Sequence, residues 1–247
     1  MTVHFIGAGP GAADLLTLRA VTLMRSSSVC LYAGTYVTPE VLAHCQPGAT
    51  LIDTQHLDLD HITLHLVAAH RAGADIARLC SGDPSIYSAL AEQTRRLSQA
   101  GVPWDVTPGV PAYAAAAAIL GCELTAPELS QTVVLTRAQA RSTKMPETEA
   151  LSLLARSRAT LVLHLAITRI RQVVGDLVSE YGSDAPVAVV ANASAPSELV
   201  LRGTLADIAD QVEAAGLRQA AVIIVGKVLG AQHFADSHLY AVRDRTR

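Results

Sequence analysis

Short apolar runs alternate with longer amphipathic segments in the first half of the chain. These runs predict β-strands, and they are residues 3–6, 29–32, 75–80 and 104–106. Between them, apolar residues recur every three or four positions, as on one face of a helix. The predicted helices lie near residues 16–24, at 60–72, at 85–100 and in the alanine-rich stretch after Pro111. Strands that alternate with helices predict a largely parallel α/β sheet.

Residues 121–131 interrupt this alternation, and we interpret them as a linker. The strands predicted beyond the linker are residues 132–135, 159–165, 186–190, 198–201 and 221–225. The helices predicted there are residues 147–157, 170–181 and 205–215. We therefore expect two α/β lobes, residues 1–121 and 122–247, with a ligand in the cleft between them, since such clefts commonly bind ligands.

The composition of the chain limits the kinds of partner that we expect it to bind. The chain has a formal net charge of -3 at pH 7, which argues against nucleic acid or an anionic membrane as the main partner. Its cysteines are Cys30, Cys45, Cys80 and Cys122, and no pair has the C-x-x-C spacing of zinc or redox motifs. Isolated thiols suit a reducing cytosol, and the first residues lack a signal-peptide pattern, so we expect a cytoplasmic protein.

A glycine loop, Gly7-Ala8-Gly9-Pro10-Gly11, follows the first predicted strand. Gly7, Gly9 and Ala12 satisfy the dinucleotide-binding fingerprint G-x-G-x-x-G/A. However, residues 32–34 provide no carboxylate for a ribose at the end of the second strand, and Pro10 offers no backbone N–H. An ordinary tight turn is the other interpretation of this loop.

Two further loops of the same kind occupy residues 81–84 (SGDP) and 108–111 (PGVP), each after a strand and before a helix. In an open parallel sheet such loops gather at the carboxyl edge, where ligands bind. We therefore expect a site built mainly from backbone and small residues. Asp83 would place a negative charge beside a cationic ligand or would cap a helix that starts near Ser85.

Four motifs carry a family resemblance when they are taken together and in order. They are GAGPG followed by Leu15-Leu16-Thr17, SGDP at 81–84, PGV at 108–110 and AVIIVG at 221–226. Over nearly its whole length the chain resembles the class III, or tetrapyrrole-methylase, family of S-adenosylmethionine methyltransferases. The resemblance implies two α/β lobes with S-adenosylmethionine in the cleft between them, a tetrapyrrole substrate and a homodimer.

Within this family the chain is similar to the branch that methylates precorrin-4 at C-11 in cobalamin biosynthesis. The similarity lies in Tyr32-Ala33-Gly34, in residues 135–137 with Arg141 and residues 144–146, and in residues 160–165. Ala12-Ala13, Ala140 and residues 192–196 depart from the family pattern. These departures leave open cobalt-precorrin-4, another precorrin or a diphthine-type substrate. A nucleotide-dependent oxidoreductase and a non-catalytic tetrapyrrole or metal carrier are alternatives from other classes.

The resemblance also implies site residues. The predicted cofactor contacts are Pro10, Ser81, Gly82, Asp83, Ile86, Pro111, Ala112, Leu165 and Ala193. The predicted substrate contacts are Gly7, Gly9, Gly11, Arg137 and Arg141. The two arginines are chosen because bidentate guanidinium groups suit the many carboxylates of a tetrapyrrole precursor. The alternative for both arginines is solvated surface charge, which we favour for Lys144, Arg169 and Arg171.

The remaining polar and aromatic residues receive weaker assignments. No catalytic acid or base is assigned, because a sulfonium methyl group is already activated and needs mainly alignment. We interpret His56, His61, His65 and His70 as an exposed polar face and assign no metal site. Trp104 is predicted to lie in the core. Tyr36 and Tyr113 are predicted either to stack on a planar ring or to pack against the protein.

Overall fold

The computed structural model describes residues 1–138, 144–231 and 233–236. The chain forms two compact units. The first comprises Met1–Ala115 with Ser194–Pro196, and the second comprises Ala116–Ala193 with the chain from Ser197 onward. The exact lobe boundary at residue 121 stays a prediction. Within the described part of the chain, no helix has the length and apolar character needed to cross a bilayer.

The first unit contains a five-stranded sheet in which every neighbouring pair is parallel. Its strands are β1 (Val3–Gly7), β2 (Val29–Tyr32), β3 (Thr50–Asp53), β4 (Ile76–Cys80) and β5 (Trp104–Thr107). Their order is β3-β2-β4-β1-β5, so β1 and β4 lie inside the sheet and their apolar residues are buried. The parallel sheet predicted for this half is confirmed. Burial on both faces explains its continuous apolar runs.

Five helices follow in chain order as far as Leu120, and the last of them continues from the first compact unit into the second after Ala115. They are α1 (Leu18–Ser26), α2 (Pro39–Leu42), α3 (Leu59–Arg71), α4 (Leu90–Gln99) and α5 (Ala112–Leu120). Thr17, Thr38 and Asp58 precede the first three, and each side chain accepts a backbone N–H from the first turn of its helix. Such caps satisfy helix N–H groups that have no partner within the helix.

Several sequence predictions for this unit are wrong in detail. Helix α4 begins at Leu90 and not near residue 85, because Tyr87 and Ala89 have φ values of 56° and 55°, which no α-helix contains. The short edge strand β3 was not predicted, since its mainly exposed side chains give no apolar pattern. Trp104 is 41% exposed and not in the core, because β5 is the other edge strand.

The second unit has a sheet of mixed direction. Its strands are β6 (Val133–Arg137), β7 (Thr160–His164), β8 (Pro186–Ala191), β9 (Leu199–Thr204) and β10 (Ala221–Val225), in the order β6-β7-β10-β8-β9. Only the β6–β7 pair is parallel. The largely parallel pattern therefore does not extend to this sheet. One reason is that the short segment 192–198 joins β8 to β9, whereas a parallel crossover needs about a dozen residues or more.

The helices of the second unit are α6 (Leu151–Ala155), α7 (Ile170–Tyr181) and α8 (Ile208–Ala214). Helix α6 is shorter than the predicted helix at 147–157, because Ala150 is extended (ψ 136°) and separates a 3-10 turn from it. Apolar residues of α7 and α8 pack with those of β7, β8 and β10 in one buried cluster.

Candidate functional site

The three glycine loops meet at the carboxyl edge of the first sheet. Strands β4, β1 and β5 are adjacent and parallel, so the loops that follow them begin side by side. Gly9 N–H donates to Gly82 O at 3.2 Å, and Gly82 N–H donates to Gly9 O at 2.8 Å. The prediction that the loops gather at this edge is confirmed.

The glycines at 7 and 109 are required by the packing of the loops themselves. A Cβ on Gly7 would lie 2.4 Å from Gly109 N and 2.9 Å from Gly82 O. A Cβ on Gly109 would lie 2.3 Å from Gly82 O. Since these neighbours are backbone atoms, no side-chain rotation relieves the clash. The three loops therefore present a surface of backbone groups and small residues.

Asp83 ties the second loop to the third. Its Oδ2 accepts Gly109 N–H at 2.9 Å, and its Oδ1 accepts Ser85 N–H at 2.8 Å and the Ser85 hydroxyl. Partial burial raises the pKa of Asp83, but these hydrogen bonds outweigh it and hold the pKa below its usual value. The carboxylate is therefore ionised at neutral pH. The predicted helix-capping role is wrong, because no helix starts near Ser85.

The other first-unit residues predicted to bind the cofactor lie on or beside these loops. They are Pro10, Ser81, Ile86, Pro111 and Ala112. Ser81 is exposed, whereas the others are half-buried. A Cβ on Gly82 would lie 3.5 Å from both Ala112 N and Pro111 Cα, so the second loop also approaches the start of α5. The cofactor-binding residues predicted in the first unit therefore lie close to one another.

The second-unit residues of the predicted set share one edge of the second sheet. Strand β6 is parallel to β7, and β7 and β8 are both antiparallel to β10, so β6, β7 and β8 end at the same edge. Arg137 is the last residue of β6, while Leu165 and Ala193 follow β7 and β8. Leu165 is 58% exposed and has a φ of 52°. Such strain in an exposed apolar residue is common at functional sites. Arg141 lies outside the described residues.

Beside Arg137, burial lowers the pKa of His164, so this imidazole is neutral at pH 7. The two residues are register partners at the ends of β6 and β7. A neutral histidine adds no charge next to the guanidinium of Arg137. Arg137 is half-buried, and its role in binding substrate stays a prediction.

Two residues that the sequence did not indicate support the first glycine loop (residues 7–11). The Ser194 hydroxyl oxygen accepts Ala12 N–H at 3.0 Å, and Ser194 belongs to the first compact unit. The Thr38 hydroxyl donates to Gly11 O at 3.3 Å. Thr38 before Pro39 is a local helix-start signal, but nothing local links it to Gly11. No local signal links residues as distant in sequence as Ala12 and Ser194.

Three of the four histidines interpreted as a polar face are exposed, namely His56, His61 and His65, and His61 Nδ1 lies 2.8 Å from Asp58 Oδ1. The interpretation is wrong for His70, which is half-buried because its Nδ1 lies 2.9 Å from Met1 O. In the described ranges, no group of three metal-ligating side chains is close enough to hold an ion. Arg171 forms ion pairs with Asp210 and Glu213 at the surface. The surface-charge interpretation of Arg171 is therefore correct.

Comparisons with known proteins assign the chain to a family. The family model for tetrapyrrole (corrin/porphyrin) methylases matches residues 2–209. The chain belongs to this family. The precorrin-4 C(11)-methyltransferase of Rhodococcus erythropolis is 60% identical over 247 residues, covering 100% of this chain and 99% of that protein. These matches favour the methylase interpretation over the oxidoreductase and carrier alternatives.

Solved structures of other methylases agree with the fold of this family member. The X-ray structure of a cobalamin biosynthetic enzyme, cobalt precorrin-4 methyltransferase, has a TM-score of 0.89 and 37% identity, covering 92% of this chain and 95% of that chain. A uroporphyrin-III C-methyltransferase from Thermus thermophilus, complexed with S-adenosylhomocysteine, has a TM-score of 0.79 and 28% identity. The match covers 93% of this chain and 99% of that chain. The predicted fold class is confirmed.

Proposed function

We propose that this chain is the S-adenosylmethionine-dependent methyltransferase of cobalamin biosynthesis that methylates precorrin-4 at C-11 to give precorrin-5. The observation that carries the proposal is the 60% identity to the R. erythropolis precorrin-4 C(11)-methyltransferase across both full lengths. The meeting of the three glycine loops at one sheet edge supports it from the structure.

The residues at this edge suit S-adenosylmethionine. The loops pack so closely that no Cβ fits at Gly7 or Gly109, which leaves backbone groups and small side chains facing a ligand. Asp83 adds an ionised carboxylate, which favours a cationic ligand. We assign the cofactor to the predicted first-unit residues, and Leu165 and Ala193 stay contacts implied by the family resemblance. When bound, S-adenosylmethionine supplies a methyl group already activated by its sulfonium.

The protein's contribution to the reaction is then alignment and exclusion of water. Holding reactants in line lowers the entropic part of the barrier, and this effect is worth about 7–11 kcal/mol in well-oriented systems. The three interlocked loops provide a rigid platform for such alignment. We assign no residue to proton transfer.

Arg137, the last residue of β6, is proposed to bind a substrate carboxylate. For Arg141, which lies outside the described residues, the same role stays a prediction from the sequence. Arg137→Ala should raise the KM for the tetrapyrrole about tenfold while leaving the KM for S-adenosylmethionine unchanged, because one charge-assisted hydrogen bond is worth about 1.5–3 kcal/mol. Arg171→Ala is the matched control, since Arg171 is held by surface ion pairs. An unchanged tetrapyrrole KM in Arg137→Ala would remove this residue from the site.

The function is tested by calorimetric titration with S-adenosylhomocysteine and, in parallel, with NAD. We expect saturable micromolar binding of the first and none of the second. Binding of NAD alone would refute the methyltransferase. Incubation with precorrin-4 and with cobalt-precorrin-4 then identifies the substrate by the mass of one added methyl group. The cobalt form is the second candidate, favoured by the structural match to the cobalt precorrin-4 enzyme.

We further propose, from the family resemblance, that the enzyme is a cytoplasmic homodimer. All four cysteines are free thiols, which supports a reducing compartment. Light scattering coupled to size-exclusion chromatography measures the mass in solution. A mass of one chain at micromolar concentration would contradict the dimer.

A further inference from the structure

A charged side chain lies in the interior of the first unit beside the second glycine loop (residues 81–84). Arg78, in the middle of β4, is only 8% exposed. Its Nε donates to Gln93 Oε1 at 3.0 Å, and its Nη1 donates to Thr54 Oγ1 at 3.1 Å. Both acceptors are neutral and buried. Within the described ranges, no carboxylate lies at ion-pairing distance from this guanidinium.

This arrangement is costly for stability alone. A buried charge is disfavoured unless it is paired, and apolar residues of similar volume often stabilise such a site equally well or better. Burial accordingly lowers the pKa of Arg78, although a guanidinium stays charged in proteins. The bonds that Arg78 makes therefore point to a role other than holding the core together.

Gln93, one of the two partners of Arg78, contacts the backbone of the segment that follows the second glycine loop. Gln93 turns its Oε1 towards the guanidinium, so its Nε2 faces the other way and donates to Ser88 O at 3.2 Å and Ala89 O at 3.1 Å. Ser88 lies between Tyr87 and Ala89, both in the left-handed region. Left-handed backbone costs about 1–2 kcal/mol per non-glycine residue, so it needs support from its surroundings.

The segment held in this way, residues 84–89, continues directly from the second glycine loop. The Ser88 hydroxyl donates back to Pro84 O, and Asp83 reaches across to Gly109 of the third loop. On the other side of Arg78, the Thr54 hydroxyl donates a hydrogen bond to Tyr32 O at the end of β2, at 2.9 Å. Arg78 thus connects the ends of β2 and β3 to the segment that follows β4.

We propose that Arg78 and Gln93 are positioning residues that hold segment 84–89, and through it the second glycine loop, in the conformation that binds S-adenosylmethionine. The inference rests on the proposed function, because the ligand is the one assigned there. Neither residue is proposed to touch the ligand. The guanidinium fixes the orientation of the Gln93 amide, and the amide fixes the carbonyl groups of residues 88 and 89.

The sharpest test is Gln93→Glu, which keeps the size of the side chain and an oxygen facing Arg78. It pairs the buried charge, so the variant should fold with a melting temperature close to that of wild type. It removes both N–H donors and places a carboxylate against the carbonyls of Ser88 and Ala89. We expect the Kd for S-adenosylhomocysteine to rise about tenfold, equivalent to about 1.4 kcal/mol. Backbone amides of residues 85–89 should exchange hydrogen faster in the ligand-free variant.

A second variant, Arg78→Met with Gln93→Leu, tests the inference independently if Gln93→Glu does not fold. Replacing both polar partners by apolar groups is often neutral for stability, but it removes the side-chain donor from both carbonyls and leaves Ser88 O without it, while Ala89 O keeps the backbone N–H of residue 93. We again expect about a tenfold higher Kd. Tyr181→Phe is the matched control, because it deletes a partly buried hydrogen bond to Ala159 O in the second unit. Its Kd should equal that of wild type.

The outcomes separate this inference from the proposed function. Wild-type protein that does not bind S-adenosylhomocysteine would overturn the proposed function and the inference with it. Wild-type binding with an unchanged Kd in both variants would overturn the inference alone, since Arg78 and Gln93 would then be structural only. A raised Kd with wild-type Tm and faster exchange at 85–89 is the expected result.

Discussion

Gly109→Ala tests whether the three glycine loops are packed as closely as the structure indicates. The added Cβ would lie 2.3 Å from Gly82 O and 2.7 Å from Gly7 Cα, whereas ordinary contacts begin at 3.4 Å. One loop must therefore retreat by about 1 Å, because backbone atoms cannot rotate away. Overpacking of this kind costs about 1–3 kcal/mol, and we expect the upper end of this range. For a chain of this size, that cost lowers the melting temperature by roughly 6–12 °C.

The functional effect of Gly109→Ala should exceed its effect on stability. A displacement of about 1 Å at a site that aligns reactants costs about 100-fold in rate. Thermal unfolding, calorimetry with S-adenosylhomocysteine and methyl transfer measure the three effects. Gly175→Ala is the control, because nothing lies within 4 Å of its added Cβ in α7. It should be neutral or stabilising by about 0.5–1 kcal/mol. If Gly109→Ala melts and binds like wild type, the loops have room that the structure does not show.

Three further predictions concern single side chains. Because the pKa of Asp83 is lowered on folding, its contribution to stability is present above the unfolded pKa of about 3.9 and is lost as the pH falls through the folded pKa. The free energy of unfolding should therefore depend less steeply on pH in Asp83→Asn than in wild type under acidic conditions. Burial raises the pKa of Tyr181 to about 12, so its contribution is complete below pH 10 and disappears between about pH 10 and 12. Tyr181→Phe should cost about 1 kcal/mol at pH 8, and this cost should shrink and then reverse as the pH rises towards 12 in denaturant titrations. Arg171→Ala should lower the free energy of unfolding by less than about 1 kcal/mol, because the ion pairs of Arg171 with Asp210 and Glu213 are exposed. The difference from wild type should shrink in 1 M salt. A loss of stability that is independent of salt would contradict this prediction.

Much of the first unit was predictable because its signals are local. Buried parallel strands appear as continuous apolar runs, and a glycine loop after each of β1, β4 and β5 marks the carboxyl edge of the sheet. The second sheet was less predictable, since alternating strands and helices do not fix strand direction. The pairing of β10 between β7 and β8, together with the β8–β9 pair, makes it mostly antiparallel.

The sequence by itself determined the family, the order of most elements and the loops that carry the candidate site. It did so because composition, periodicity and glycine motifs are properties of neighbouring residues. The tertiary structure alone decided that Gly7 and Gly109 are in contact and that Ser194 supports Ala12. It also decided that Arg78 is buried, although an arginine within a strand gives no sign of this. These features depend on contacts between distant parts of the chain, and the physical reason they escape the sequence is that no local pattern records such contacts.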